Sequence, residues 1–312
     1  MEVGNKMSIH KTVLLKETID GLNLKDKDAK GLVIVDATFG GGGHSLEVCK
    51  RHAGIQIIAF DRDKNVFKGV EDKFKDLGCK ISTINSNFSE LDKKIINLGV
   101  GHLSGEIDGI IFDLGLSSDQ LENSGRGFSF LVDEPLLMTM KEKPDKEDTT
   151  AFDVVNTWSE ESLASIIYGY GEEKFSRKIA KKIVDARQKV SIKTTFDLVK
   201  IIESSVPGFY RKGKTHFATK TFQAIRIAVN DELGSLEKGL EKGFKALRVG
   251  GRMSVISFHS LEDRVVKKFF KTQEKEEKAI LINKRVIVGS EEEIKNNKRA
   301  RSAKLRVLEK IK

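Results

Sequence analysis

The chain is poor in cysteine. Two residues, Cys49 and Cys79, exclude a disulfide framework and any all-cysteine zinc site, and they suit a reducing cytoplasm. Long apolar runs are absent, since none approaches the about 20 residues that a membrane helix needs. The opening stretch MEVGNKMSIHKTVLLKETIDG has no apolar h-region, so no secretory signal is expected. No His, Cys and Asp cluster has metal-ligand spacing, and no catalytic metal is expected. No G-x-S-x-G elbow is found, which argues against a hydrolase triad. There is no internal repeat and no low-complexity tract.

What is present is a soluble globular composition, 39% hydrophobic and 32% charged, over 312 residues. That length suits about two domains and buries a full core without a metal or disulfide staple. The net charge of +9 is segregated. Residues 264–312 hold 16 Lys and Arg against 7 Asp and Glu, and residues 172–226 hold 14 against 5. The remaining 208 residues sum to −9. Two basic blocks on an acidic remainder suit a polyanionic partner, although Lys-rich helices also serve as plain solvated faces.

Short β-branched runs alternate with helical stretches in the first part. LVIVD (32–36), IQIIAFD (55–61), CKISTIN (79–85) and IDGIIFDLG (107–115) read as strands. Their continuous apolar character suits a buried parallel sheet. Helices are expected at HSLEVCKRH (44–52), 65–77 and 88–98, the last with Leu91, Ile95 and Leu98 on one face. The rhythm breaks after 118, and residues 152–203 read as several helices. One carries Phe175, Ile179 and Ile183 at four-residue spacing, and another starts at the cap-like Thr194-Thr195-Phe196-Asp197. A helical insert is therefore placed at 119–213, dividing a core of 1–118 and 214–312. Residues 217–246 suggest one or two helices, and 247–258 a turn and a fifth strand. HSLEDRVVKKFFK suggests a helix with Ser260 and Asp263 in a capping-box pattern. The runs ILINKRVIVG and AKLRVLEKI are expected to pair as antiparallel strands.

The strongest local signal is VIVDATFGGGGHS (33–45), a strand, four glycines and a helix start. Glycine lets a backbone turn tightly and approach a ligand, and a helix N-terminus offers free N–H groups. The next strand ends in Asp61, where an acid accepts hydrogen bonds from a ribose. Together these point to a nucleoside cofactor. A dinucleotide fingerprint wants glycine where Ser45 stands, which weakens NAD and FAD. Asp113 ends the fourth strand, so Asp36, Asp61 and Asp113 are expected along one sheet edge, where open α/β sheets bind ligands. Phe88, just after the third strand, either flanks an adenine or is a core aromatic. His44 and His259 sit at loop–helix junctions beside that edge, where ordinary loop histidines also occur.

Gly208 to Thr215, GFYRKGKT, formally matches a phosphate-binding P-loop. The context is wrong: a helix stopped by Pro207 precedes it, and Phe, Tyr and Arg would crowd a cradled phosphate. An ATPase is disfavoured, while Lys212 and Lys214 remain as simple cations for phosphate groups.

These residues together resemble one family, the bacterial 16S rRNA (cytosine-N4)-methyltransferases called RsmH or MraW. The resemblance rests on HKTVLLKETIDGL, DATFGGGGHS, FDRD, FDLGLSSDQL, RGFSF, YGEEKFSRKIA, FATKTFQAIRIAVNDEL, LRVGGRMSVISFHSLEDRVVKKFF and RARSAKLR, from residue 10 to about 306. It implies an α/β, class I S-adenosylmethionine-dependent methyltransferase core. The core is Rossmann-like, with a mostly parallel sheet, an antiparallel C-terminal strand and an inserted helical domain that binds substrate. It further implies a cytoplasmic enzyme that methylates N4 of a P-site-region cytidine in 16S rRNA of the small ribosomal subunit, with S-adenosylmethionine as cofactor. Carried over motif by motif, Gly42, Gly43 and His44 line the methionine end, Asp61 holds the ribose, Phe88 contacts the adenosine, and Asp113 and Gln120 complete the pocket.

Departures from the family pattern lie at DEPLLMTM (133–140), where Glu134, Leu137 and Thr139 replace Gly, Asp and Arg, and at Asp119, which replaces Pro. They bear on the loop over the substrate rather than on the cofactor pocket. The sequence has no [DNS]PP[YF] motif of the kind that DNA amino-methyltransferases use. Asp113 stands at the analogous strand end and is the expected orienter of N4, with His259 as second candidate. The competing reading is a non-catalytic, S-adenosylmethionine-binding assembly factor. Monomer and homodimer both stay open.

Overall fold

The computed structural model describes residues 11–25, 29–96 and 106–312. Among these residues seven strands form one sheet: β1 (Val33–Asp36), β2 (Gln56–Asp61), β3 (Lys80–Asn85), β4 (Ile107–Asp113), β5 (Leu247–Ser257), β6 (Ala279–Leu281) and β7 (Lys304–Lys310). Their order is β3-β2-β1-β4-β5-β7-β6. The first five pair in parallel, and β7 runs antiparallel to both β5 and β6. The central strands are the most apolar because both faces are covered: β1 is buried throughout, and β4 up to Asp113. At the edge, β3 alternates instead, with Lys80, Thr83 and Asn85 exposed.

The two final apolar runs do pair antiparallel, but only Ala279–Leu281 of the first is strand, and Ile287 adds an isolated bridge to Leu305. The stretch expected as one helix over 65–77 is a 3-10 turn, Lys64–Phe67, and a short helix, Val70–Phe74. Gly69, at φ 71°, separates them, because a left-handed residue cannot continue a right-handed helix. Asp231, at φ 45°, likewise divides Thr219–Asn230 from Glu232–Ala246. Leu91 and Ile95 are buried as expected of one face, while Leu98 lies outside the described residues.

One cap is corrected. The helix Ser260–Lys275 is capped by His259 with Glu262, one residue earlier than the Ser260 and Asp263 pattern. His259 keeps an extended backbone (φ −137°, ψ 166°), so the cap falls there; Asp263 instead pairs with Arg306 at 2.8 Å. The Thr194 cap forms as read, closed reciprocally by Asp197.

Contacts divide the chain into two units, Met1–Gly115 with Leu233–Lys312, and Leu116–Glu232. In the first, the sheet has a core on each face. Phe60, Ile110 and Phe112 pack one side with Leu240 and Met253, and Ile34, Ile57 and Ile111 pack the other with Val48 and Phe74. The second unit is helical. Val154, Ile167, Ile179, Ile183 and Leu198 form its core, and Phe222 and Ile225 join them. The helix Thr219–Asn230 therefore belongs to this unit, beyond the 213 boundary expected from sequence.

Cys49 and Cys79 are joined in a disulfide, Cα–Cα 5.6 Å. One bridge is not a framework, but it does not fit cysteines read as suited to a reducing cytoplasm. The cause is topological. Cys49 lies in the last turn of the helix Gly43–Arg51 that leads into β2, Cys79 immediately precedes β3, and the parallel β2–β3 pairing is already continued there by Gly54 N donating to the Gly78 carbonyl. Among the described residues no helix is long and apolar enough to cross a membrane.

Candidate active site

Strand order places three aspartates together. Asp36, Asp61 and Asp113 end β1, β2 and β4, which are adjacent in the sheet, so their carboxyls meet at its carboxyl edge. All three are held above the ordinary carboxylate range, chiefly because burial penalises the charged form. Asp36 and Asp61 are pushed up to about 6, and Asp113 to about 7. Mutual repulsion adds to this: Asp61 raises Asp36, and Asp36 and Glu262 raise Asp113. An edge holding several half-desolvated carboxylates suits a cationic ligand that carries hydroxyl donors.

Hydrogen bonds set each acid in place. Asp36 accepts from Ser45 Oγ at 2.6 Å and Thr38 N at 3.3 Å. Asp61 accepts from Gly40 N and Asp63 N, both at 2.8 Å, which ties the glycine loop to the end of β2. Asp113 is held through its backbone, its N–H donating to Thr38 Oγ1 at 2.6 Å. Among the described residues its buried Oδ1 has no hydrogen-bond partner, while its Oδ2 lies 3.7 Å from His44 Nδ1.

The glycines are demanded first by the protein. A Cβ on Gly42 would meet the Phe39 ring at 2.5 Å, and one on Gly43 would meet Thr12 Oγ1 at 1.8 Å. Gly40 and Gly42 have φ of 50° and 70°, a conformation that turns the loop sharply before the helix Gly43–Arg51. His44, buried on that first turn, has Nε2 3.2 Å from the Val13 carbonyl.

The other expected site residues are more occupied. Phe88 starts the 3-10 turn after β3 and packs edge-on against Phe112 at 5.4 Å, as a partly buried part of the core. His259 caps its helix: Nδ1 accepts from Glu262 N at 3.4 Å, and Nε2 lies 3.1 Å from Glu262 Oε1, too obliquely for a hydrogen bond. Gln120 belongs to the second unit, where it closes the capping box of Ser118–Glu122 with Ser117. Arg299 was given no role from sequence. Its charge is the favourable influence on Asp113, and its guanidinium lies 5.4 Å from the Phe258 ring centroid. The available signal was the RARSAKLR stretch, but nothing local connects it to a strand 186 residues earlier in the chain.

The departing segment is well held within its own unit. Glu134 Oε2 accepts from Gly127 N at 2.7 Å, and Arg126 Nη1 donates to the Thr139 and Met140 carbonyls at 3.2 and 2.8 Å. Asp119 lies in the first turn of Ser118–Glu122, where an acid suits the helix dipole.

Residues 7–311 match the model of the MraW methylase family. The chain belongs to that family. Its relatives include the ribosomal RNA small subunit methyltransferase H of Lactobacillus johnsonii, 43% identical over 97% of this chain and 99% of that protein. The protein of the same name from Lactobacillus gasseri is 42% identical over the same shares. The crystal structure of an rRNA methylase from Streptococcus thermophilus is a distant likeness, TM-score 0.45 at 13% identity, over 97% of this chain and 98% of that one. The MraW chain has the class I methyltransferase fold and is an S-adenosylmethionine-dependent methyltransferase. The site fits that cofactor on its own chemistry. Asp36 and Asp61 flank the glycine turn, which suits a sulfonium and ammonium cation carrying ribose hydroxyls.

Proposed function

We propose that this MraW protein methylates N4 of a cytidine in the P-site region of 16S rRNA, within the small ribosomal subunit and in the cytoplasm. The name of its relatives supports the small-subunit rRNA substrate. The sequence motifs support the cytidine target. The observation that carries the chemistry is the buried Oδ1 of Asp113 at the carboxyl end of β4, which has no hydrogen-bond partner among the described residues.

A cytosine N4 amine is a weak nucleophile because its lone pair is delocalised into the ring. Bound S-adenosylmethionine supplies an activated methyl group, so the protein's task is mainly positioning. Gly42, Gly43 and His44 line its methionine end, Asp61 accepts from its ribose, Phe88 contacts its adenosine part, and Asp113 completes the pocket. Asp113 accepts a hydrogen bond from N4–H through Oδ1, which localises the nitrogen lone pair and aims it. The same carboxylate takes the proton that the amine sheds, a role that a group titrating near neutrality performs well. His259, already fixed as a helix cap, positions the segment that follows β5 and is the second group offered to the base. The base must leave its stack to reach this edge. The helical unit and the basic C-terminal block hold the flanking backbone.

The test is incubation of the protein with radiolabelled S-adenosylmethionine and small subunits lacking the N4 methyl, followed by nuclease mapping and mass spectrometry. Label on N4 of one P-site cytidine is the expected result. Cofactor binding with no label on mature subunits or assembly intermediates would replace this reading with a non-catalytic assembly factor.

A further inference from the structure

The segment 208–216 lacks the surroundings of a P-loop. The helix Thr195–Ser205 and Pro207 precede it, so no buried strand leads into it. Neither Gly208 nor Gly213 has a positive φ. What the segment builds instead is a fixed aromatic surrounded by cations.

Tyr210 anchors it. Its hydroxyl donates to Glu173 Oε2, and its ring meets Phe175 edge-on at 5.0 Å. Glu173 is fully buried and also accepts from Phe175 N at 2.8 Å, so this acid is held in place on both sides. Burial and the Glu173 carboxylate keep the phenol far above its ordinary range, so it stays a neutral donor. With Tyr210 turned inward on the four-residue helix Gly208–Arg211, the preceding ring faces out: Phe209 is 71% exposed. Single exposed apolar residues are common and need no explanation. This one is set beside a cation. Lys174 Nζ stands 5.9 Å from the Phe209 ring, 5.4 Å from Tyr210 and 5.2 Å from Phe175. Lys178, on the helix Ser176–Arg187, approaches Phe175 at 6.0 Å. Exposed Arg211, Lys212 and Lys214 continue the positive surface, with Glu203 pairing Arg211 at 3.3 Å.

We propose that Phe209, with Lys174, Lys212 and Lys214, is a stacking platform for an unpaired nucleotide of the RNA substrate, separate from the cytidine being methylated. The inference rests on the rRNA reading of the site. An exposed aromatic face takes any unstacked base, and the surrounding ammonium groups take the adjoining phosphates. An acidic peptide would use the cations without needing a bare ring. A duplex would hide its base faces from it.

The test uses the full chain and a fluorescein-labelled single-stranded RNA of about 12 nucleotides, long enough for one such groove. Binding is read by anisotropy across a salt series. Phe209→Ala should weaken binding about tenfold with the salt slope unchanged, and Phe209→Trp should restore it. Lys212→Ala with Lys214→Ala should weaken binding and flatten the slope. The same sequence as a duplex should lose the dependence on Phe209. The platform is overturned if Phe209→Ala binds the single strand like the parent, if Phe209→Trp is as weak as Phe209→Ala, or if the parent fails to bind the strand. It is also overturned if residue 209 matters only for binding ribosomal proteins stripped of RNA. Methyl transfer to small subunits is measured in parallel. Phe209-dependent RNA binding without label at cytidine N4 sinks the cytidine reading and leaves the platform standing. Label at N4 with Phe209-independent binding does the reverse.

Discussion

Nδ1 of His44 faces Oδ2 of Asp113 at 3.7 Å while Nε2 of the same ring lies 3.2 Å from the Val13 carbonyl. An imidazole that donates from Nε2 to a carbonyl presents either a lone pair or a second N–H at Nδ1. A lone pair facing a carboxylate is repulsive, so a proton is favoured on one of the two facing groups. Burial drives the system the same way, pushing Asp113 up to about 7.

Asp113→Asn should therefore separate activity from stability. A carboxyl whose folded pKa lies above its unfolded value holds its proton more tightly when folded. Its stabilising effect is complete below about pH 4 and is lost as pH rises through about 7. In thermal melts at about pH 8 the variant should be more stable than the parent by about 1 to 3 kcal/mol, with the gain shrinking as pH falls below about 7 and gone by about pH 4. Methyl transfer should fall about 100-fold or more. A variant equally stable at both pH values, or one retaining full activity, would remove Asp113 from the role given to it.

Cofactor affinity should fall on the acid side. Asp61 is pushed up to about 6, and only its ionised form accepts from both the loop and a ribose. Calorimetric titration with S-adenosylmethionine should show binding weakening below about pH 6 in the parent. Asp61→Asn, which loses the charged tie to Gly40 N, should bind about tenfold or more weakly at neutral pH and lose that pH dependence.

Gly43→Ala should destabilise the protein and weaken the cofactor, because the added Cβ would fall 1.8 Å from Thr12 Oγ1. The expected cost is about 1 to 3 kcal/mol. Thr12→Ala removes that atom and should recover part of the loss in a double-mutant cycle. Additive effects in denaturant melts would show that this contact is not the reason for glycine at 43.

Reduction of Cys49–Cys79 should lower stability by about 3.6 kcal/mol, as expected for closing a loop of 30 residues. Melting with and without reductant measures it, and Cys79→Ser should melt with the reduced parent. Identical melting of oxidised and reduced protein would mean that the bridge does not constrain the unfolded chain.

Much of the architecture was readable from local pattern. Val33–Val35 and Ile110–Phe112 are buried on both faces of a parallel sheet, so they had to be continuous apolar runs, and each run ends in the acid that reaches the sheet edge. Thr194 and Asp197 announced a cap because both partners lie within one turn. The glycine run and the segregated charge were also plain, since each is a property of neighbouring residues.

What depended on distant contacts was not readable in this way. Sequence by itself determined the strands, the glycine turn, the carboxylates at strand ends and the two basic blocks, because period and composition are local. Tertiary structure made β2, β1 and β4 neighbours, so that Asp61 raises the pKa of Asp36 and Asp36 raises that of Asp113. It decided that Cys79 meets Cys49, that Arg299 is the cation acting on Asp113, and that Thr219–Asn230 joins the helical core. It also set the cap at His259 instead of Ser260, through the backbone angles at the end of β5. Strand order and side-chain proximity arise from packing between segments far apart in the chain, and no periodicity within a segment carries that information.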